Sequence, residues 1–185
     1  MWYFTQQRKA SITHAPIHML EVSNMQTEQI TLNANPFNPI EEIIKVFKSG
    51  HFVILIDDEK RENEGDLFLA AQFIDAEKIN FFSRKACGLM YLALLPEQVQ
   101  KMKLPMMQST EHGGAENHAA FTYTIEAKHG VTTGISSQDR AHTILTAINS
   151  NVSAQDIVCP GHVFPIKARQ EGVLVRPGHT EAGVD

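Results

Sequence analysis

Apolar positions recur along the chain in two periods, and together they lay out most of a fold. Ile40, Ile43, Ile44 and Phe47 fall at i, i+3, i+4 and i+7, so a helix is predicted from Asn38-Pro39-Ile40, with Gly50 ending it. Phe52-Val-Ile-Leu-Ile56 and Leu67-Phe-Leu-Ala-Ala71 are wholly apolar runs that read as buried strands, and Leu89–Leu95 reads as a third. Asp75–Ala86 between them is predicted helical. Phe121-Thr-Tyr-Thr-Ile125 alternates as a strand does. Ala141, Ile144, Leu145 and Ile148 mark one face of a helix over Ser137–Asn149, with Ser136 and Asp139 at capping-box spacing. Lys103–His118, rich in Met, Gly, His and Asn, reads as a mobile surface loop. Residues 1–35 show no sustained period and read as a poorly defined extension; residues 36–185 form the folded unit. No period of tens of residues repeats, which excludes solenoids. Strands and helices mixed in this order predict a single α+β domain, a mixed β-sheet covered by helices.

The totals narrow the class. At 185 residues one domain with a sizeable core is expected, and a net charge of −5 with no Lys/Arg block argues against a nucleic-acid surface. No apolar run approaches the ~18 residues of a membrane span, and the first 35 residues lack a signal peptide's apolar core. Cys87 and Cys159 sit in no CxxC pair and read as buried reduced thiols. A cytoplasmic protein is expected.

Chemistry concentrates in three places. Asp57-Asp-Glu-Lys-Arg-Glu-Asn-Glu-Gly-Asp66 places six carboxylates in ten residues between two buried strands. Such runs are usually solvated loops. Here both ends are pinned near the sheet, where crowded carboxylates call for a cation, and an oxygen-rich site suits Mg²⁺. A calcium hand does not fit, since Gly65 as its sixth residue would make Lys60 the first ligand. Pro160-Gly161-His162 is echoed by Pro177-Gly178-His179, and Pro-Gly is the pairing of a type II turn. With Val163–Ala168 and Val173-Leu-Val175 read as a hairpin turning at Gln170-Glu-Gly172, both histidines would share one end of the sheet, beside Arg176 and Thr180. A single histidine is more often structural, whereas two on matched turns suit metal ligation or proton transfer. Val131-Thr-Thr-Gly-Ile-Ser-Ser-Gln-Asp-Arg140 leads into a helix N-terminus that could take a phosphate or simply be a cap. No GxSxG, GxGxxG or GxxxxGK[ST] occurs, against serine-hydrolase, dinucleotide and P-loop chemistry.

Four segments together, DDEKRENEGD at Asp57–Asp66, HGVTTGISSQDRAHT at His129–Thr143, PGHVFP at Pro160–Pro165 and RPGHTEA at Arg176–Ala182, resemble the 3,4-dihydroxy-2-butanone 4-phosphate synthase family over about Pro36–Asp185. The resemblance implies a lyase of riboflavin biosynthesis that converts D-ribulose 5-phosphate to 3,4-dihydroxy-2-butanone 4-phosphate and formate. It implies Mg²⁺ (or Mn²⁺), two ions, with Glu62 and His179 as protein ligands. It implies substrate contacts from Arg61, Glu62, Asp66 (to the sugar phosphate), Thr133, Arg176, Pro177, Gly178, His179 and Thr180. His162 would be essential for proton transfer, with Glu64 as a second catalytic group beside Asp66, in a site formed at a homodimer interface. Tyr91 and Cys159 stand where the family often carries Cys and Arg, positions expected to be peripheral. The family also continues past the His-Thr-Glu motif to an essential glutamate about twenty residues on, which lies beyond Asp185. A C-terminally incomplete domain is therefore expected, without the GTP cyclohydrolase II domain that some members append. The alternative is a non-catalytic descendant that binds a sugar phosphate.

Overall fold

The strand at the centre of the fold is the one whose residues are all apolar and all buried. In the computed structural model, which describes residues 2–4, 37–108 and 119–185, this is β4 (Met90–Leu94). Successive strand side chains point to opposite faces, and both faces of β4 are covered. Met90, Leu92 and Leu94 enter one apolar cluster with Ile79, Phe82, Ile125, Ile144 and Val163, while Tyr91 and Ala93 enter another with Val53, Phe68 and Ile166. Burial on two sides explains why the segment reads as a continuous apolar run rather than an alternating one.

Among the described residues four strands form the main sheet, in the order β1 (Trp2–Phe4), β4, β6 (Ile157–Lys167) and β5 (Ile125–Ala127). The β4–β6 pair is parallel and the β1–β4 and β5–β6 pairs are antiparallel, so the sheet is mixed, as expected. A separate antiparallel hairpin joins β2 (Val53–Ile56) to β3 (Gly65–Phe68). The helices are α1 (Ile40–Lys48), α2 (Ala76–Phe81), α3 (Pro96–Lys101), α4 (Ser137–Ala147) and α5 (His179–Val184). Asp75 caps α2 by accepting from the Lys78 N–H, and a π-helical turn, Phe82–Ala86, continues it to Cys87, which adopts φ +62°. The predicted 75–86 helix is therefore two helical geometries in series.

The structure departs from the sequence reading at several points. Of β2 only Val53 is buried, because the hairpin has one face on the core and one in solvent. Helix α1 forms as predicted but its packed face is shifted: Ile40 is 62% and Ile44 44% exposed, and Ile43, Val46 and Phe47 pack on the second cluster. The segment 121–125 is mostly bridges, with the strand proper beginning at Ile125. Neither Pro-Gly-His segment is a type II turn, since neither Gly161 nor Gly178 has positive φ. Pro160-Gly161-His162 lies inside β6, and Val173-Leu174 belongs to a 3₁₀ turn, so the expected hairpin after His162 does not form. Cys87 and Cys159 are exposed, not buried. Within the N-terminal extension Trp2–Phe4 adds an edge strand; the rest of residues 1–35, and residues 109–118 of the expected loop, lie outside the described residues. Helix α3 escaped the sequence reading although Pro96 at its first turn is a start signal.

Burial predicts a contrast between two isoleucines. Ile144 is fully buried in the larger cluster, so Ile144→Ala should cost about 2–5 kcal/mol in urea denaturation. Ile44→Ala should cost less than about 1 kcal/mol in the same measurement, because much of its side chain already meets water.

Candidate active site

The acidic loop is folded by one of its own carboxylates. Asp57 Oδ2 accepts from the Arg61 guanidinium at 2.6 Å and from the Glu62 N–H at 3.2 Å, while its Oδ1 accepts from the Glu64 N–H at 2.8 Å. The Asp57 N–H donates to the Glu64 carbonyl at 3.2 Å, closing the loop at its base, and Asn63 supplies the left-handed residue, φ +52°, that the tight return needs. Burial pushes the Asp57 carboxyl up, but the Glu64 N–H, Arg61 and the Glu62 N–H together outweigh it and hold it below the ordinary carboxylate range.

This folding aims Glu62, Glu64 and Asp66 at a cavity of about 970 Å³, whose lining also includes Arg61, Cys87, Tyr91, Phe121, Arg176, His179 and Thr180. Asp66 lies on β3 and is fully buried. Its carboxyl is pushed up to about 7, first by burial and then by the charges of Glu64, Glu62 and Asp57, against a lowering bond from the Tyr91 hydroxyl at 3.3 Å. Glu64 is raised in the same way, by burial and then by Glu62 and Asp57. Tyr91 is thus part of the site rather than peripheral.

His179 opens α5 with its Nδ1 3.9 Å from Glu62 Oε2 and 3.7 Å from Asp66 Oδ2. Burial lowers its pKa, so near neutral pH it is the imidazole form that ligates metals. Ligand atoms of Asp57, Glu62 and His179 all lie within 4.8 Å of one another. Two ligands about 2.1 Å from a shared ion stand about 3.0–4.2 Å apart in an octahedron, so the Glu62–His179 separation fits one divalent cation. Asp57 is already committed to three N–H donors and serves the loop.

Arg176 borders the cavity with its guanidinium held 2.6 Å from buried Glu181, whose other oxygen accepts from the Arg169 N–H at 2.9 Å. Gly178 makes room for that pair: a Cβ there would stand 2.5 Å from an Arg176 nitrogen. Glu181 was missed by sequence reasoning, although it sits inside the quoted RPGHTEA segment.

His162 and Thr133 do not border the cavity. His162 lies five residues before the end of β6, about 17 Å along a strand, and the end of β6 is what approaches α5 through Arg169. Instead the His162 Nδ1 meets Glu126 Oε2 at 2.6 Å. The helix N-terminus considered for a phosphate is internally satisfied: Ser136 Oγ accepts from the Asp139 N–H, and Asp139 takes the N–H groups of Thr132 and Gly134 and the Thr132 hydroxyl. Only half of the predicted capping box is made, because the Asp139 carboxylate turns to this loop.

A profile of the 3,4-dihydroxy-2-butanone 4-phosphate synthase family matches residues 41–185. The chain belongs to that family. It is 54% identical over 148 residues to the 3,4-dihydroxy-2-butanone 4-phosphate synthase of Neisseria meningitidis serogroup B, covering 80% of this chain and 40% of that one. With the synthase of Tolumonas auensis it shares 44% over 161 residues, 87% of this chain and 73% of that one. A solved 3,4-dihydroxy-2-butanone 4-phosphate synthase in complex with two magnesium ions superimposes with a TM-score of 0.74 at 40% identity, covering 80% of this chain and 68% of the other. The chain therefore spans less than half the length of the Neisseria relative.

Two measurements check the site. Glu62→Ala or His179→Ala should weaken Mg²⁺ binding at least about tenfold by calorimetry, with the far-ultraviolet circular dichroism unchanged, since neither side chain is in the apolar clusters. Asp66 gives a pH signature. An acid whose pKa is higher folded than unfolded gains a proton on folding, so stability falls as pH rises. The penalty is absent below about pH 3.8, grows with pH, and is complete above about 7. In metal-free protein, Asp66→Asn should flatten the melting temperature against pH between these limits; an unchanged slope would count against a strained Asp66.

Proposed function

We propose that this family member converts D-ribulose 5-phosphate to 3,4-dihydroxy-2-butanone 4-phosphate and formate in riboflavin biosynthesis, as a cytoplasmic homodimer that depends on two Mg²⁺ (or Mn²⁺) ions. The observation that carries the reading is the convergence of Glu62, Glu64, Asp66, Arg176 and His179 on one cavity. Among the described residues no helix is long and apolar enough to cross a membrane.

The residues divide the work. Glu62 and His179 hold the cation, which when bound stabilises negative charge on the oxygens next to the reacting carbons. Arg176, fixed by Glu181, offers its guanidinium to the phosphate, with Thr180 on the same cavity, while Pro177 and Gly178 between them border a neighbouring cavity beside the acidic loop. Arg61 contacts the sugar, and Asp66 lies deeper. Enolisation, loss of water, rearrangement of the skeleton and release of formate move protons at several carbons. Glu64 suits one such transfer, because its raised carboxyl holds a proton more readily than an ordinary glutamate.

His162 and Thr133 enter from a second copy. His162 is 42% exposed on the part of β6 that pairs with β5, and Tyr123, Ile135 and Val158, on β6 and the segments near β5 and before α4, are exposed apolar side chains that a partner could cover. A site shared between subunits predicts complementation. Glu62→Ala and His162→Ala should each lower formate release from ribulose 5-phosphate by about 10³-fold or more, leaving a measurable remainder. Mixed after mild unfolding and refolding, they should recover about a quarter of wild-type activity, because half the dimers are hybrid and each holds one intact site. No recovery from the mixture would sink the shared site.

A further inference from the structure

We infer that Glu126 is a positioning residue for His162: it fixes the imidazole with the proton on Nδ1 and leaves Nε2 as the atom that exchanges protons with substrate. The inference rests on the proposed role of His162 and deepens it. A carboxylate accepts and does not donate, so a contact of 2.6 Å between Glu126 Oε2 and His162 Nδ1 assigns the proton to that nitrogen. The glutamate side chain is 14% exposed and the histidine 42%, so the carboxylate lies beneath the ring and the ring faces outward.

The surrounding backbone is shaped to admit this pair. Glu126 sits on β5 beyond an irregularity of register between Ile125 and Glu126, where β5 pairs with β6. Gly161, next to His162, passes so close to that irregularity that a Cβ would stand 2.1 Å from the Ile125 carbonyl and 2.5 Å from the Glu126 nitrogen. Its N–H donates to Thr124 Oγ1 at 3.0 Å, tying the two strands together at this point. From the other side Gly134, at φ +84°, lies under the carboxylate, and a Cβ there would fall 1.8 Å from Glu126 Oε2. Gly134 is held by its N–H bond to Asp139 Oδ2 at 3.0 Å, so the loop carrying Thr133 is anchored beside the same carboxylate. Two glycines from two different segments thus admit the pair, Gly161 by letting β6 run close to the β5 backbone and Gly134 by leaving the volume that the Glu126 carboxylate fills. The paired orientation resembles the carboxylate–imidazole arrangement that sets tautomer and aim in general-base catalysis.

The test has two independent readouts on the full-length, magnesium-loaded protein. In steady-state formate release, Glu126→Ala should lower kcat by about 100-fold or more while KM for ribulose 5-phosphate stays within a few-fold. Glu126→Ala combined with His162→Ala should be no slower than His162→Ala alone, as expected of groups acting as one unit. Glu126→Gln, nearly isosteric, separates charge and aim from packing and should fall between Glu126→Ala and wild type. In ¹⁵N-detected histidine spectra, wild type should show Nδ1 protonated at His162 and Nε2 as the acceptor, and Glu126→Ala should shift the ring to a mixture of tautomers. Unchanged kcat, additive losses in the double variant, or an unchanged tautomer in a folded Glu126→Ala protein would overturn the inference. If the wild type released no formate, the proposed reaction would fail, and the tautomer measurement would still decide the positioning.

Discussion

The site depends on one carboxylate that gives up its own reactivity. Asp57 collects the Arg61 guanidinium and two backbone N–H groups, and the chain between β2 and β3 has to curl around it. Without that centre a loop with six carboxylates would spread to reduce repulsion. With it, Glu62 and Glu64 are turned into the cavity next to Asp66, and His179 at the start of α5 comes within 4 Å of two of them. The energetic cost appears in the raised carboxyls of Asp66 and Glu64. A folded scaffold can sustain such strain because the two apolar clusters that cover β4 hold the sheet firm, with Tyr91 of the second cluster donating to Asp66.

Glycine does a second kind of work here, by leaving room rather than by bending the chain. Gly161 and Gly178, the central residues of the repeated Pro-Gly-His, both have ordinary φ, yet both sit where a methyl group would collide with a polar contact. At Gly178 that contact is the Arg176–Glu181 pair, and at Gly161 it is the backbone crossing that seats Glu126. The echo in the sequence therefore marks two tight approaches, one in a strand and one at a helix start.

Much of this was legible beforehand, and the failures have physical causes. The α+β class, β4, the span of α4 and the collection of acidic residues, Arg176 and His179 in one site all follow from period, flanking apolar runs and the quoted motifs. Burial of β2 and α1 was overestimated because composition tells that a segment is apolar, not how many of its faces find a neighbour. The type II turns were misread because Pro-Gly also fits a strand that must run close to another chain segment. Tyr91, Glu126 and Glu181 carried no signal of their own: each matters through a partner 25, 36 or 5 residues away. Local patterns do not encode such distances.

The crowding of Asp57, Glu62, Glu64 and Asp66 also bears on which ions the site retains. Each carboxylate raises the cost of ionising its neighbours, and an entering cation relieves that cost in proportion to its charge. A sodium or potassium ion relieves about half as much as a divalent ion at the same spot. Valence thus sets a coarse filter before any preference of coordination geometry acts. Because Glu62 is half exposed on a loop, its reach can adapt to ions of somewhat different radius. The acidic loop is in this sense an electrostatic sieve, strict about charge and tolerant about size.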